Sequence, residues 1–207
     1  GAETDDSKLL GSVGAMAGAL RRFFREGGNL PGVRRYRYDQ ALLGRLGAEI
    51  EFAERAGHLE RACAASAAGA LEVCRRRMDE LDGTPGEAGY IHADLSGGNM
   101  IAHALGVSPI DFGLSGFGHF AMDLGSLFAN FRKPAQRRAI CMGYERESGT
   151  RVRRKDVEPF YALQVILYIA SHHAMFAGEA WAQQEATTRW RESIFEPLCA
   201  GKRILET

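Results

Sequence analysis

The sequence predicts a mainly helical α+β fold, a helical bundle interrupted once by a small β-hairpin insert. Apolar residues recur at helical spacing from residue 8 to residue 81 and again from residue 121 onward. Between these regions the pattern changes to short apolar runs joined by glycine-bearing turns. Clusters of Gly, Asp and Pro at 27–32 and 82–86 punctuate the elements.

The elements follow in order. Leu9, Leu10, Val13, Met16, Leu20, Phe23 and Phe24 mark one face of a helix over 8–24, with a Ser/Asp cluster ahead of it as an N-cap. Gly27 to Gly32 reads as a loop, and Arg34-Arg35-Tyr36-Arg37 as a solvated one. Two more helices are expected over 39–56 and 60–81, the second Ala-rich and suited to close packing. Tyr90-Ile91, then 99–102 and 107–110 with a turn at 103–106, read as short strands. Helices return over 121–131, 135–148, 156–176 and 179–198. The stripe Phe160, Leu163, Leu167, Ile169 and Ala170 is expected in the core. Adjacent residues on a helix point about 100° apart, so His172 and His173 share a metal poorly; one is expected packed and the other exposed.

Composition narrows the function. The 207 residues carry a formal net charge of zero, which argues against a nucleic-acid or polyanion binder. The richest apolar run, Leu163 to Ala170, is eight residues and far short of a membrane span. The opening Gly-Ala-Glu-Thr-Asp-Asp is polar and acidic, unlike a signal peptide. Cys63, Cys74, Cys141 and Cys199 form no CxxC pair and are expected to be buried, reduced thiols of a cytoplasmic protein.

The insert concentrates the chemistry. It reads His92-Ala93-Asp94-Leu95-Ser96-Gly97-Gly98-Asn99, then Ile110-Asp111-Phe112-Gly113. Phosphoryl transfer needs hard oxygen ligands for Mg²⁺ and a carboxylate that orients an acceptor hydroxyl and takes its proton. Asp94 suits the second task. Asn99, across the tight Gly97-Gly98 turn, offers an amide oxygen to a metal, and Asp111 offers an anionic oxygen after the next strand. Taken alone, Asp94 reads as a solvated loop carboxylate and His92 as a hydrogen-bonded loop support. The combined pattern, with twelve residues from Asn99 to Asp111, is far more specific.

These residues resemble the HxDxxxxN loop and DFG of the kinase-like superfamily, in the form found in aminoglycoside phosphotransferases and choline kinases. That family writes H-G-D-x-x-x-x-N, then I-D-F/W-x. The stretch Gly116 to Gly125 is similar to its G-x-G-D-P-x-x-D-L-A element. The resemblance implies that Asp94 is the catalytic base and that Asn99 and Asp111 bind Mg²⁺. It implies that His92 props the loop and that Asp123 is a buried anchor capping the helix it starts. It further implies an ATP- or GTP-dependent phosphotransferase acting on a small-molecule hydroxyl. Ala93 replaces the common Gly, Ser96-Gly97 the common His-Pro, and His119 a frequent acidic residue. Glu145, Glu147, Glu158, Glu179 and Glu185 are the acidic candidates for an aminoglycoside pocket, each balanced by nearby arginines.

Complete kinases of this kind also need a Gly-rich loop over the phosphates and a strand lysine. Neither motif occurs: the lysines are Lys8, Lys133, Lys155 and Lys202, and Gly11-Ser12-Val13-Gly14 falls inside a helix. The expectation is a single kinase-like C-terminal lobe over 1–207, without the N-terminal β lobe that grips ATP. It divides into a helical part (1–88), the catalytic loop and metal-binding hairpin (89–120) and a second helical part (121–207). The Gly1 start reads as a cut or processed end. The alternative is a catalytically silent binding or regulatory module of the same fold.

Overall fold

The computed structural model describes residues 4–27 and 35–206. Most of the loop expected at 27–32, and Arg34, lie outside them. Helices α1 (Ser7–Arg25), α2 (Gln40–Arg55) and α3 (Arg61–Asp82) precede the insert. Helices α4 (Ala121–Asn130), α5 (Pro134–Ser148) and α6 (Arg154–His172) follow it. A one-turn 3₁₀ segment, His173–Phe176, leads to a last helical stretch. This stretch runs through α7 (Ala180–Gln184), a π-wound segment (Glu185–Phe195) and α8 (Glu196–Cys199).

The insert forms two small sheets. Strands β3 (Met100–His103) and β4 (Gly106–Pro109) make an antiparallel hairpin with Met100 opposite Pro109. The other sheet has the order β1 (Tyr36–Arg37), β5 (Gly116–His119), β2 (Ala88–Ile91), with β1 parallel and β2 antiparallel to β5. Tyr36–Arg37 is therefore a strand, where sequence reading expected a loop. Two residues carry no periodicity of their own, and β5 supplies the pairing that extends them.

Local chemistry explains the helix starts. The Asp6 carboxylate accepts from Lys8 N at 2.9 Å and Leu9 N at 3.2 Å. Asp39 does the same for Ala41 N and Leu42 N at 3.1 and 3.2 Å, in each case satisfying amides that have no intrahelical partner. The core is then built on close backbone approach. Helix α4 is buried from Ala121 to Phe128 and lies against α6, whose Phe160, Leu163, Ile166 and Ile169 are fully enclosed. Gly125 allows that contact, since a Cβ there would sit 2.7 Å from the Phe160 carbonyl carbon.

Three expectations change. Cys63 and Cys74 are buried, but Cys141 is half-buried and Cys199 exposed, because the last helical stretch turns Cys199 toward the surface. Leu167 lines a cavity instead of filling the core. Helix α6 starts at Arg154, two residues before the expected start at 156. The histidine expectation holds, with His173 buried and His172 half-exposed.

Helices α1 and α5 meet along a glycine seam. A Cβ on Gly143 would collide with the Gly11 carbonyl oxygen, and one on Gly14 with that of Ile140. Gly143→Ala is expected to destabilise the fold by about 1–3 kcal/mol, the usual cost of overpacking. Gly11→Ala, whose Cβ meets nothing within 4 Å, should stabilise it by roughly 0.5–1 kcal/mol through helix propensity. Urea unfolding of both variants checks the opposite signs.

Candidate active site

The loop from His92 to Asn99 joins β2 to the hairpin and is fastened at four points. The fully buried Asp123 carboxylate accepts from His92 N (Oδ2, 3.1 Å) and Ala93 N (Oδ1, 2.8 Å). Burial pushes the Asp123 carboxyl above its ordinary pKa, while the Ala93 and His92 amides pull it down. The second point is the buried His92 ring. Its Nε2 lies 2.9 Å from the Ile110 carbonyl oxygen, and Asp94 N donates to Nδ1 at 3.3 Å. The carbonyl can only accept, so Nε2 is the donor there and the ring serves as a crossbrace.

Leu95, fully buried, is the third point, with its carbonyl oxygen accepting from Ser126 Oγ at 3.3 Å. Asn99 is the fourth. Its Nδ2 donates to Asp94 Oδ2 at 2.7 Å and to the Asp94 carbonyl oxygen at 3.0 Å. The amide nitrogen therefore faces Asp94, which leaves the amide oxygen on the other side. Asp111 stands beside this pair through the backbone: Ile110 N donates to the Asn99 carbonyl oxygen at 2.9 Å. The Asp111 side chain is exposed, and one of its oxygens accepts from Gly113 N at 3.2 Å.

Two residues here hold left-handed backbone, Ala93 (φ 67°) and Asp111 (φ 59°). Asp tolerates that region, while for Ala it costs roughly 1 kcal/mol. The Gly-to-Ala departure noted at position 93 thus falls on a position whose geometry favours Gly, and the Asp123 clamp holds it there.

Asp123 is buried and does not occupy the cap position of its helix. Helix α4 begins two residues earlier, at Ala121, so Asp123 lies in the first turn and spends both oxygens on the loop. His119 is not part of the site. It lines a separate cavity of about 270 Å³ beside Asp82, behind the β5 and β2 pair. Its Nε2 lies 3.0 Å from Asp82 Oδ1 outside hydrogen-bonding geometry, so both ring nitrogens are buried without a hydrogen-bond partner among the described residues.

Asp94 opens onto a cavity of about 640 Å³ walled by β1, α4, α6 and the π-wound segment. Sequence reading missed most of this wall: Tyr36, Tyr38, Tyr161, Tyr168, Gln164 and Trp190. Tyr38 donates to the Leu114 carbonyl oxygen at 2.5 Å, and burial first, then the carboxylates of Asp123 and Asp94, push its hydroxyl pKa up. The one available signal was Tyr161 and Tyr168, seven residues apart and so on one face of α6, a spacing that also reads as core. None of the five acidic candidates lines the cavity. Glu145 accepts from Val152 N, Glu147 pairs with Arg22, Glu158 holds Arg154 and two C-terminal amides, and Glu185 pairs with Arg189. Among the described residues no three His, Cys, Asp or Glu gather as a metal cluster, and no helix is long and apolar enough to cross a membrane.

The site thus joins a buried anchor, a braced HxDxxxxN loop and an adjoining cavity. The chain belongs to the phosphotransferase enzyme family, whose model matches residues 2–155. Among solved structures it is similar to a microcompartment-associated aminopropanol kinase (18% identity, TM-score 0.73, 97% of this chain and 65% of that one). It is also similar to the amicoumacin kinase hAmiN, solved with AMP-PNP and Ca²⁺ (17%, TM-score 0.66, 92% and 59%). A choline kinase from Cryptosporidium parvum Iowa II shares the fold as well (13%, TM-score 0.62, 97% and 68%). The chain thus spans less than two thirds of the first two structures. No curated protein matches by sequence.

Asp123→Asn leaves one of the two loop amides without an acceptor and is expected to cost about 2 kcal/mol. Amide hydrogen exchange should accelerate at residues 92 and 93 well beyond the rest of the chain; unchanged protection there would dismiss the clamp. A second expectation concerns pH. Burial holds the His119 imidazole below its ordinary value of 6.5, outweighing the attraction of Asp82. The unfolded chain then binds more protons just below 6.5, so this group's contribution is full above that pH and is lost as pH falls through it. His119→Gln should flatten the decline in stability between about pH 7 and pH 5 seen by denaturant titration.

Proposed function

We propose that the chain is the catalytic, acceptor-binding lobe of a kinase that moves the γ-phosphate of ATP or GTP to a hydroxyl of a small molecule. The observation that carries this reading is the Asn99 amide donating to Asp94 Oδ2 at 2.7 Å at the edge of the large cavity. That hydrogen bond fixes one carboxylate oxygen and leaves the other free to accept an alcohol proton. As the alcohol oxygen bonds to the γ-phosphorus, its proton passes to Asp94, and the bond between that phosphorus and the β,γ-bridging oxygen breaks to release the diphosphate.

The donor set fits a divalent cation. With Asn99 Nδ2 turned to Asp94, its Oδ1 and the exposed Asp111 carboxylate are hard oxygen ligands of the kind Mg²⁺ takes. When bound, Mg²⁺ neutralises charge on the transferring phosphates. His92 and Asp123 act through the loop: they hold its backbone so that Asp94 and Asn99 keep their mutual orientation. In this reading residues 1–88, 89–120 and 121–207 make one kinase-like C-terminal lobe, with the hairpin carrying the metal ligands. The glycine-rich loop and strand lysine that cover the phosphates do not occur in its sequence and are assigned to an ATP-gripping lobe outside these 207 residues. The four free cysteines support a reducing, cytoplasmic setting.

In full-length protein, Asp94→Asn is expected to lower turnover roughly 10²- to 10⁴-fold while nucleotide affinity is retained. An unchanged rate would remove Asp94 as the base. Asn99→Ala and Asp111→Asn should instead raise the Mg²⁺ concentration needed for half-maximal rate, read from a metal titration at fixed nucleotide.

A further inference from the structure

Resting on the acceptor-site reading above, we infer that the cavity selects a ring-bearing alcohol of neutral to anionic charge and rejects polycationic amines. Three properties of the wall carry this. The first is its charge. Asp94 is the one carboxylate that lines the described cavity, and it is occupied with the hydroxyl and with Asn99; Arg132 and Arg189 line the same space. A molecule with several ammonium groups would bring each of them into a low-dielectric site with no free carboxylate to meet it and two guanidinium groups nearby. Arg189 is partly answered by Glu185 on the same helical stretch. Arg132 has no carboxylate partner among the described residues, its Nε donating only to the Ala129 carbonyl oxygen at 3.3 Å.

The second property is hydrogen-bond polarity. Gln164 leaves its amide Nε2 buried without a partner among the described residues, on the wall of this cavity. An unpartnered donor in such a place calls for an acceptor on the ligand, as do the two guanidinium groups. The third is the aromatic lining. Tyr36, Tyr38, Tyr161, Tyr168 and Trp190 present apolar ring surface suited to a flat or apolar body. They are poorly arranged as a cage for a quaternary ammonium. Tyr168 is already stacked on His172 with centroids 4.6 Å apart and meets Trp190 edge to face at 6.2 Å, so one of its ring faces is taken.

The test reads binding alone, so it stands apart from the test of phosphoryl transfer. Three aromatic alcohols of one shape and different charge, 4-(hydroxymethyl)benzoate, its primary amide and 4-(aminomethyl)benzyl alcohol, are titrated by ligand-observed NMR, with choline and kanamycin alongside. The anionic probe is expected to bind more tightly than the cationic one by roughly tenfold, the scale of one partly screened charge contact. The amide should fall between them. Arg132→Ala, an exposed change, should erase most of that gap, while Arg132→Lys should keep it. Asp94→Asn should leave the order intact even if transfer is abolished. A cationic probe, choline or kanamycin binding as well as the benzoate would overturn the inference, as would a charge preference that survives Arg132→Ala.

Discussion

The site depends on one buried carboxylate. Asp123 lies in the first turn of α4, a helix enclosed on all sides, and both its oxygens accept backbone amides from the loop that carries Asp94. A buried carboxylate is costly unless its oxygens are bonded, and a loop with left-handed backbone at Ala93 is costly unless something holds it. Each feature offsets the other's cost. The clamp transfers the rigidity of the helical core to a loop that would otherwise be free.

From that clamp the rest of the floor follows. His92 ties the loop to the end of β4 through the Ile110 carbonyl oxygen, and the neighbouring backbone bond from Ile110 N to Asn99 brings Asp111 alongside. The metal-ligand candidates are thus positioned by the main chain of a hairpin, and the candidate base, Asp94, by the Asn99 side chain. The cavity wall is made differently. It comes from α6, the π-wound segment and β1, which supply none of the loop's four fastening points, together with α4, which supplies two of them. The parts of the wall outside α4 can therefore vary without disturbing the loop.

The order of elements was readable from the chain because helical periodicity and capping residues are local. Asp6 caps the helix that sequence reading placed after it, Asp39 caps the helix it was read as opening, and the turn at 103–106 closes the expected hairpin. The short strands at 36–37 and 116–119 were not readable. Two to four residues with glycines carry no alternation, and their extended form comes from each other and from β2. The acidic residues proposed for the acceptor pocket went astray for a related reason. Sequence shows that Glu158 has arginines nearby, but only the packed chain shows it buried at the end of α6 holding Arg154 and the amides of Ile204 and Leu205.

What the sequence by itself determined was the family pattern: a histidine, two aspartates and an asparagine at characteristic spacings, set between helical stretches. Those signals are local in the chain, and spacing alone preserves them. Tertiary structure decided the surroundings. It turned Asp123 from a helix cap into the anchor of the loop, moved His119 away from the site, and gathered Tyr38, Gln164 and Trp190 around Asp94 from segments spread between residues 38 and 190. A cavity is the joint product of surfaces distant in sequence, so its shape and charge exist only once the helices have packed.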